Sequence, residues 1–266
     1  MPLTDLVAQP AAAIDPAVWQ RATEGIPRVL AGLAAASPSG RPLRLGAHDI
    51  RVALEPDGAL SVGTAPFAWS ARTAQRALGL AAVRTLVASQ ARTPSDAVRE
   101  VVSAASRLDG GGSRPPTSLE RWLGSLSPAG RAAAGAAAVT WATRLWGALD
   151  WDALAATGPP VIGRDHWWDS PHTSLLALRS RAEVRTSGAH LVVLNGPRRE
   201  SARAELSLVT LVEALRSRGT APPGAVVGWW PDAGQMLRVE PAPAVLDRAV
   251  AAVAAALRER RGRPVV

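Results

Sequence analysis

Between Arg164 and His172 the sequence reads RDHWWDSPH, the densest run of chemically capable side chains in the chain. Asp165, His166, Asp169 and His172 offer two carboxylates and two imidazoles, a donor set that suits a divalent metal ion. His166 and Asp169 alone would make an acid/base pair. The same run also reads as structure, with Trp167 and Trp168 as core anchors and the polar residues capping a turn. A second chemical group is cationic. Arg179, Arg181 and Arg185 alternate with Glu183 so as to share one face of a strand, by the period of two. That face suits either a phosphate groove or an ion-paired surface. Arg198, Arg199 and Arg203 lie at a turn into a helix N-terminus, where backbone N–H groups add to the attraction for anions. Arg258, Arg260, Arg261 and Arg263 read as a solvated tail.

Composition removes several mechanisms. All 30 basic residues are arginine, so a Schiff base, pyridoxal phosphate attachment and the P-loop lysine are excluded. There is no cysteine and no tyrosine, hence no disulfide, thiolate nucleophile or phenolic acid. His48, His166, His172, His190 and the carboxylates remain as general bases. No G-x-S-x-G elbow and no G-x-G-x-x-G phosphate loop occurs. The formal net charge of +8 favours an anionic partner, and arginine forks phosphate and stacks on bases. Ten tryptophans against one phenylalanine also raise base stacking, with Trp167-Trp168 and Trp229-Trp230 as candidate platforms. A strand alternates its faces, so at most one of Trp229 and Trp230 meets the core.

These residues need elements to hold them. Asp15-Pro16 predicts a helix towards Leu33, ended by SPSGRP. Arg44 to Leu54 and Ala59 to Val62 flank the turn Glu55-Pro56-Asp57-Gly58 as a hairpin. Ser70 and Thr93 each open a helix. LDGGGSRPP, at 108–116, carries every breaker and reads as a flexible linker between an N-terminal region, 1–107, and a C-terminal one, 117–266. Ser127-Pro128 starts an alanine-rich helix to Leu149. It holds Trp141, Arg144 and Trp146, so it predicts a buried helix rather than a membrane span. RDHWWD reads as a loop, and Ser174 to Arg185 as one half-buried strand. His190 to Leu194 is a short strand, turned by Asn195-Gly196-Pro197. Leu206, Val209, Val212 and Leu215 mark a helix from Ser201 to Arg216. Val226 to Trp230 and Met236 to Val239 pair across a turn, and a last helix starts at Pro243. The start of the chain shows no secretory signal, which predicts a cytoplasmic protein.

The order of these elements resembles the core of RecB-type nucleases of the PD-(D/E)XK superfamily over residues 127–239. Arg181-Ala182-Glu183 is similar to the strand motif that places the first metal-binding carboxylate, with glutamate for aspartate. Val192-Val193-Leu194-Asn195-Gly196 falls where the second carboxylate and the catalytic lysine would stand, and Glu205-Leu206 opens the matching helix. The resemblance implies a mixed α/β fold, a small central sheet flanked by helices behind a helical N-terminal region with a hairpin. It also implies a degenerate site, because Val192 and Leu194 supply neither carboxylate nor amine. The leading expectation is therefore a non-catalytic module without a cofactor. It binds nucleic acid, or a nucleic-acid-processing protein, through Arg179, Arg181, Arg185, Arg198, Arg199 and Arg203. One alternative is a metal-dependent hydrolase, with magnesium or manganese held by Glu183 and the Asp165/His166/Asp169/His172 cluster. The other is a structural protein-interaction module that binds no nucleic acid.

Overall fold

The computed structural model describes residues 2–36, 42–55, 69–89, 93–106 and 117–261. They form two compact units, one from Met1–Thr64 with Leu154–Val266 and the other from Ala65–Ala153. The fold is mixed α/β, helices with two small sheets.

Along the chain, the first unit opens with helices α1 (Leu3–Ala8), α2 (Pro16–Thr23) and α3 (Ile26–Ala35). Asp15 caps α2 by accepting from the Ala17 N–H at 2.8 Å, as its pairing with Pro16 predicts. The single helix expected towards Leu33 is instead two. Gly25 adopts the left-handed conformation at φ 82°, which ends one helix and turns the chain into the next. Arg44 to Leu54 also differs from the expected strand. Only Leu43–Leu45 forms a strand, β1, and α4 (Ala47–Leu54) follows. The Asp49 carboxylate accepts from the Gly46 N–H at 2.8 Å, and this cap stops the strand and starts the helix. The hairpin partner, Ala59 to Val62, lies outside the described residues.

The second unit holds α5 (Ala71–Ser89), α6 (Pro94–Ser106), α7 (Ser118–Ser125) and α8 (Pro128–Ala148). The expected caps open three of them: Ser70 accepts from Thr73, Thr93 from Asp96 and Ser127 from Gly130. The alanine-rich α8 is buried along one stripe, Ala134, Ala138, Ala142 and Leu145, and open elsewhere, so it is half-buried rather than enclosed. Small residues on that stripe let α5 approach closely. A Cβ at Gly79 would stand 2.5 Å from the Trp141 ring. No helix among the described residues is long and apolar enough to cross a membrane. The expected linker at 108–116 lies outside the described residues; α7 and α8 beyond it group with α5 and α6.

After the short α9 (Trp151–Ala156) the first unit resumes with β2 (Val161–Ile162), β3 (His166–Asp169), β4 (Leu176–Ser180), β5 (Val184–Arg185) and β6 (Ala189–Val193). Then come α10 (Ala202–Arg216), β7 (Ala225–Trp230), β8 (Gln235–Val239) and α11 (Pro243–Arg261). RDHWWD is thus a strand and not a loop. Ser174 to Arg185 is not one strand either. The chain leaves one sheet at Ser180 and enters the other at Val184.

The smaller sheet has the order β1-β4-β3, with β1 parallel and β3 antiparallel to β4. The larger has the order β2-β5-β6-β7-β8, antiparallel except for β6 and β7, which run parallel and are joined through α10. Twelve of the fifteen residues of α10 are buried, so this helix lies inside the unit rather than on its surface. Leu208, Leu211, Val212 and Leu215 pack with the inner residues of the small sheet (Leu43, Leu45, Leu176, Leu178, Trp168) and with Leu246, Val253 and Leu257 of α11. Leu206 and Val209 pack instead on Val226 and Val239 of the larger sheet. α1 packs against the β6–β7 pair of the larger sheet. The Thr186 hydroxyl donates to Val7 O, and the Arg238 guanidinium donates to the carbonyls of Leu6, Gln9 and Pro10, orphan acceptors at the end of α1.

Candidate functional site

Two settings in the first unit gather polar side chains. The inner one centres on Glu213, in the last turn of α10. Glu213 follows Leu206 and Val209 at helical spacing, so it falls on the apolar stripe and its carboxylate is carried inward. There it meets His166 of β3, Ser180 of β4 and Arg185 of β5. His166 Nδ1 donates to both carboxylate oxygens at 2.8 Å and the Ser180 hydroxyl donates to Oε1 at 2.8 Å. The Arg185 guanidinium lies 3.6 Å from Oε1 and also donates to the Ser180 hydroxyl and to Arg164 O. Burial works to raise the Glu213 pKa, but the bonds from His166 and Ser180 outweigh it and hold the carboxyl below its ordinary range. Burial lowers the Arg185 pKa, opposed by Glu213. His190 of β6 stands nearby with Nδ1 unbonded. Burial, reinforced by the Arg185 charge against the pull of Glu213, pushes it down to about 4, so it is neutral at pH 7. Ser180 is wholly buried, with its hydroxyl engaged by Glu213 and Arg185, and the cluster reads as a buried charge network.

The outer setting is the solvent side of the small sheet. Residues alternate along β3, so His166 and Trp168 face α10 while Trp167 and Asp169 face out. Trp167 stands opposite Arg179 of β4, and the guanidinium carbons of Arg44 and Arg179 each lie 5.6 Å from its ring centroid. Asp165 accepts from Arg179, and Arg216 donates to Trp167 O at 2.7 Å.

The residues singled out in sequence are therefore dispersed. Asp165 pairs with Arg179, His166 with Glu213, and Asp169 and His172 are exposed. Among the described residues no three histidine, aspartate or glutamate side chains converge as metal ligands. The common face expected for Arg179, Arg181, Glu183 and Arg185 is lost because the strand breaks between the two sheets. Arg179 faces out of the small sheet, Arg181 is exposed between strands, and Arg185 is buried against Glu213. Glu183 is wholly buried, and its carboxylate accepts from the Val193 N–H at 2.7 Å on the neighbouring strand. Arg198 and Arg203 are exposed and Arg199 half-buried at the turn into α10, with the Arg198 guanidinium carbon 5.9 Å from the centroid of the buried Trp230 ring. The acids beside them face inward onto Ser201. Glu55 accepts from its N–H at 2.9 Å and Glu205 from its hydroxyl at 2.8 Å, while Glu200 stays exposed. Burial raises the Glu205 pKa.

Glu213, Ser180, Arg44 and Arg216 were not marked out by motif. Glu213 alone carried a signal, an acid on the leucine stripe of LVTLVEALR, which must be buried and must find partners. No family model, curated protein or solved structure matches the chain. The class that fold and site define is a mixed α/β protein with a buried charge network under one small sheet, and with arginines grouped beside Trp167 and at the turn into α10.

Proposed function

We propose that the chain is a cytoplasmic, non-catalytic, nuclease-like module that binds the phosphate backbone of nucleic acid at the turn into α10. The observation that carries this reading is the placement of Arg198, Arg199 and Arg203 immediately beyond the end of β6, with Glu55 and Glu205 turned inward at the same turn. Three features support it. The antiparallel pair β5–β6, the crossover through α10 and the parallel β7 follow the succession that the PD-(D/E)XK resemblance implies. Glu183 lies beside the end of β6, where that resemblance puts the second carboxylate and the lysine. Val192 and Leu194 occupy those positions, and the Glu183 carboxylate is engaged by a backbone N–H. A lone buried carboxylate makes a poor site for a hard divalent cation, which takes six or more oxygens. Arg185 leaves the expected binding set because it is buried and ion-paired, whereas Arg181 reaches the surface from a setting that partly desolvates it.

The test is fluorescence anisotropy with DNA and RNA oligonucleotides at two salt concentrations, with and without magnesium or manganese, and the same samples run on a gel. Binding that weakens as salt rises, without cleavage, is the expected result. The triple change Arg198→Ala, Arg199→Ala, Arg203→Ala should make the log–log salt dependence shallower by roughly 2 to 3 for duplex DNA. Metal-dependent cleavage, or no binding at low salt, overturns the reading.

A further inference from the structure

The outer face of the β1-β4-β3 sheet is built differently from every other sheet surface in the first unit. Its inner side is closed by Leu43, Leu45, Leu176, Leu178 and Trp168. Its outer side presents Arg44, Ala177, Arg179 and Trp167. Trp167 is 36% exposed, the other described tryptophans being buried or half-buried. Leaving an indole in water forgoes the burial that drives tryptophan inward, and here its neighbours are cations rather than apolar side chains. Ala177 lies between Arg44 and Asp169 in register and leaves a low floor beside the ring. Arg216, bonded to the Trp167 carbonyl, and Arg218 border an adjoining cavity of about 710 Å³, closed on its far side by the turn between α2 and α3. That wall is fixed closely: a Cβ at Gly219 would stand 2.2 Å from the Thr23 hydroxyl, and Arg218 beside it holds φ at 54°. Two arginines thus stand at the ring and two more line the cavity beside it. Asp165, one of the nearby acids, is committed to Arg179, while Asp169 and Glu24 mark one rim of the cavity.

We propose that this face is a stacking platform for an unpaired base of single-stranded nucleic acid, with Arg44 and Arg179 at the Trp167 ring and Arg216 and Arg218 along the adjoining cavity tracking the phosphates. The inference rests on the nucleic-acid reading above and adds the strandedness of the ligand and a second surface. The arginines over the ring complement a polyanion, and the exposed part of the indole supplies what a phosphate site lacks, an apolar surface on which a base can stack. A duplex hides both faces of its bases and meets only the cations. The two surfaces lie at opposite ends of α10, separated by roughly 20 Å for a helix of this length, so they can be changed independently.

The deciding experiment compares a labelled single-stranded oligonucleotide with a hairpin duplex of the same composition at low salt. Five proteins are used: wild type, Trp167→Leu, Trp167→Phe, Arg44→Ala and the Arg198→Ala, Arg199→Ala, Arg203→Ala triple variant. The platform requires that wild type prefer the single strand and that Trp167→Leu bind it roughly 5- to 150-fold more weakly, with the duplex affected less than about twofold. Trp167→Phe, which keeps a ring, retains most of the affinity and shows that the loss is of stacking rather than of fold. Arg44→Ala makes the single-strand salt slope shallower by roughly 0.7. If Trp167→Leu binds both ligands like wild type while the Arg198/Arg199/Arg203 variant is weakened, the platform is wrong and the α10 site stands. If wild type binds neither ligand at low salt, both fall.

Discussion

The two sheets of the first unit share α10 as their support but use it in opposite ways. The larger sheet is covered along its middle, where β5 and most of β7 are buried and α1 and α10 lie against it, while its edge strands β2 and β8 are partly open. The smaller sheet is three strands deep, apolar on the side of α10 and cationic on the other. A sheet buried on both faces holds the fold but has no surface with which to recognise anything. A sheet buried on one face can keep its register through the inner residues and leave the outer ones free to vary. Glu213 is where the two sheets are tied, since it takes bonds from β3 and β4 of the smaller and pairs with Arg185 of the larger.

Breaking that tie should have the largest effect. Glu213→Ala leaves the Arg185 charge buried without its partner and should cost about 3–5 kcal/mol in urea unfolding at pH 7. Changes on the outer face should then be compared with it on the same assay. Next comes acid. His190 has a pKa of about 4 in the folded chain against 6.5 ordinarily. Between these values the unfolded chain binds the proton and the folded chain does not, so stability falls as pH drops from 6.5 to 4, by up to about 3 kcal/mol. Arg185 and His166 oppose a further positive charge on His190, and His166 and Ser180 hold the Glu213 carboxyl below its ordinary range. His190→Gln should flatten the dependence in unfolding curves taken across the window; an unchanged slope would assign it to other groups. Smaller again is Gly224→Ala. A Cβ there would stand 2.8 Å from Gly188 O, at the entry to the parallel β6–β7 pair, and the backbone shift should cost about 1–3 kcal/mol in thermal unfolding. Smallest is Trp167→Leu on the open sheet, expected within about 1 kcal/mol of wild type. A larger loss would mean that the outer face also holds the fold together.

Much of this architecture could be read from the chain. Ser70, Thr93 and Ser127 open helices because their hydroxyls accept from N–H groups two or three residues on, a local rule that needs no tertiary context. α10 and the β7–β8 pair carried clear periods and turn residues, and Trp230 rather than Trp229 takes the core side of its strand. Ser174 to Arg185 misled because its alternation runs on without a glycine or proline. The break at Arg181-Ala182-Glu183 comes from which sheet each half joins, which no local pattern records. RDHWWD misled for a related reason. Its charged residues suggest a loop, but its polar side chains are satisfied from afar, His166 by Glu213 and Asp165 by Arg179. The candidate site was legible as residue types and not as groupings. Arg179 and Arg185 look alike in sequence, yet one flanks an exposed indole and the other is buried with a carboxylate.

The first unit is written in two pieces, and its β1 strand pairs in parallel with β4 from Leu43↔Leu176 onward, 133 residues further along the chain. At ordinary rates of translation the interval between making the two is roughly 7–27 s. For that time α2, α3 and β1 have left the ribosome without the sheet, α10 or α11 against which their apolar sides pack. The intervening residues, Ala65–Ala153, form a compact unit whose described elements are helices that pack on one another, and helical units close in far less time than the wait. Order of synthesis therefore favours the inserted unit folding first. The split unit completes only after its last helix emerges, and until then a short apolar strand and two amphipathic helices are exposed to chaperones and proteases.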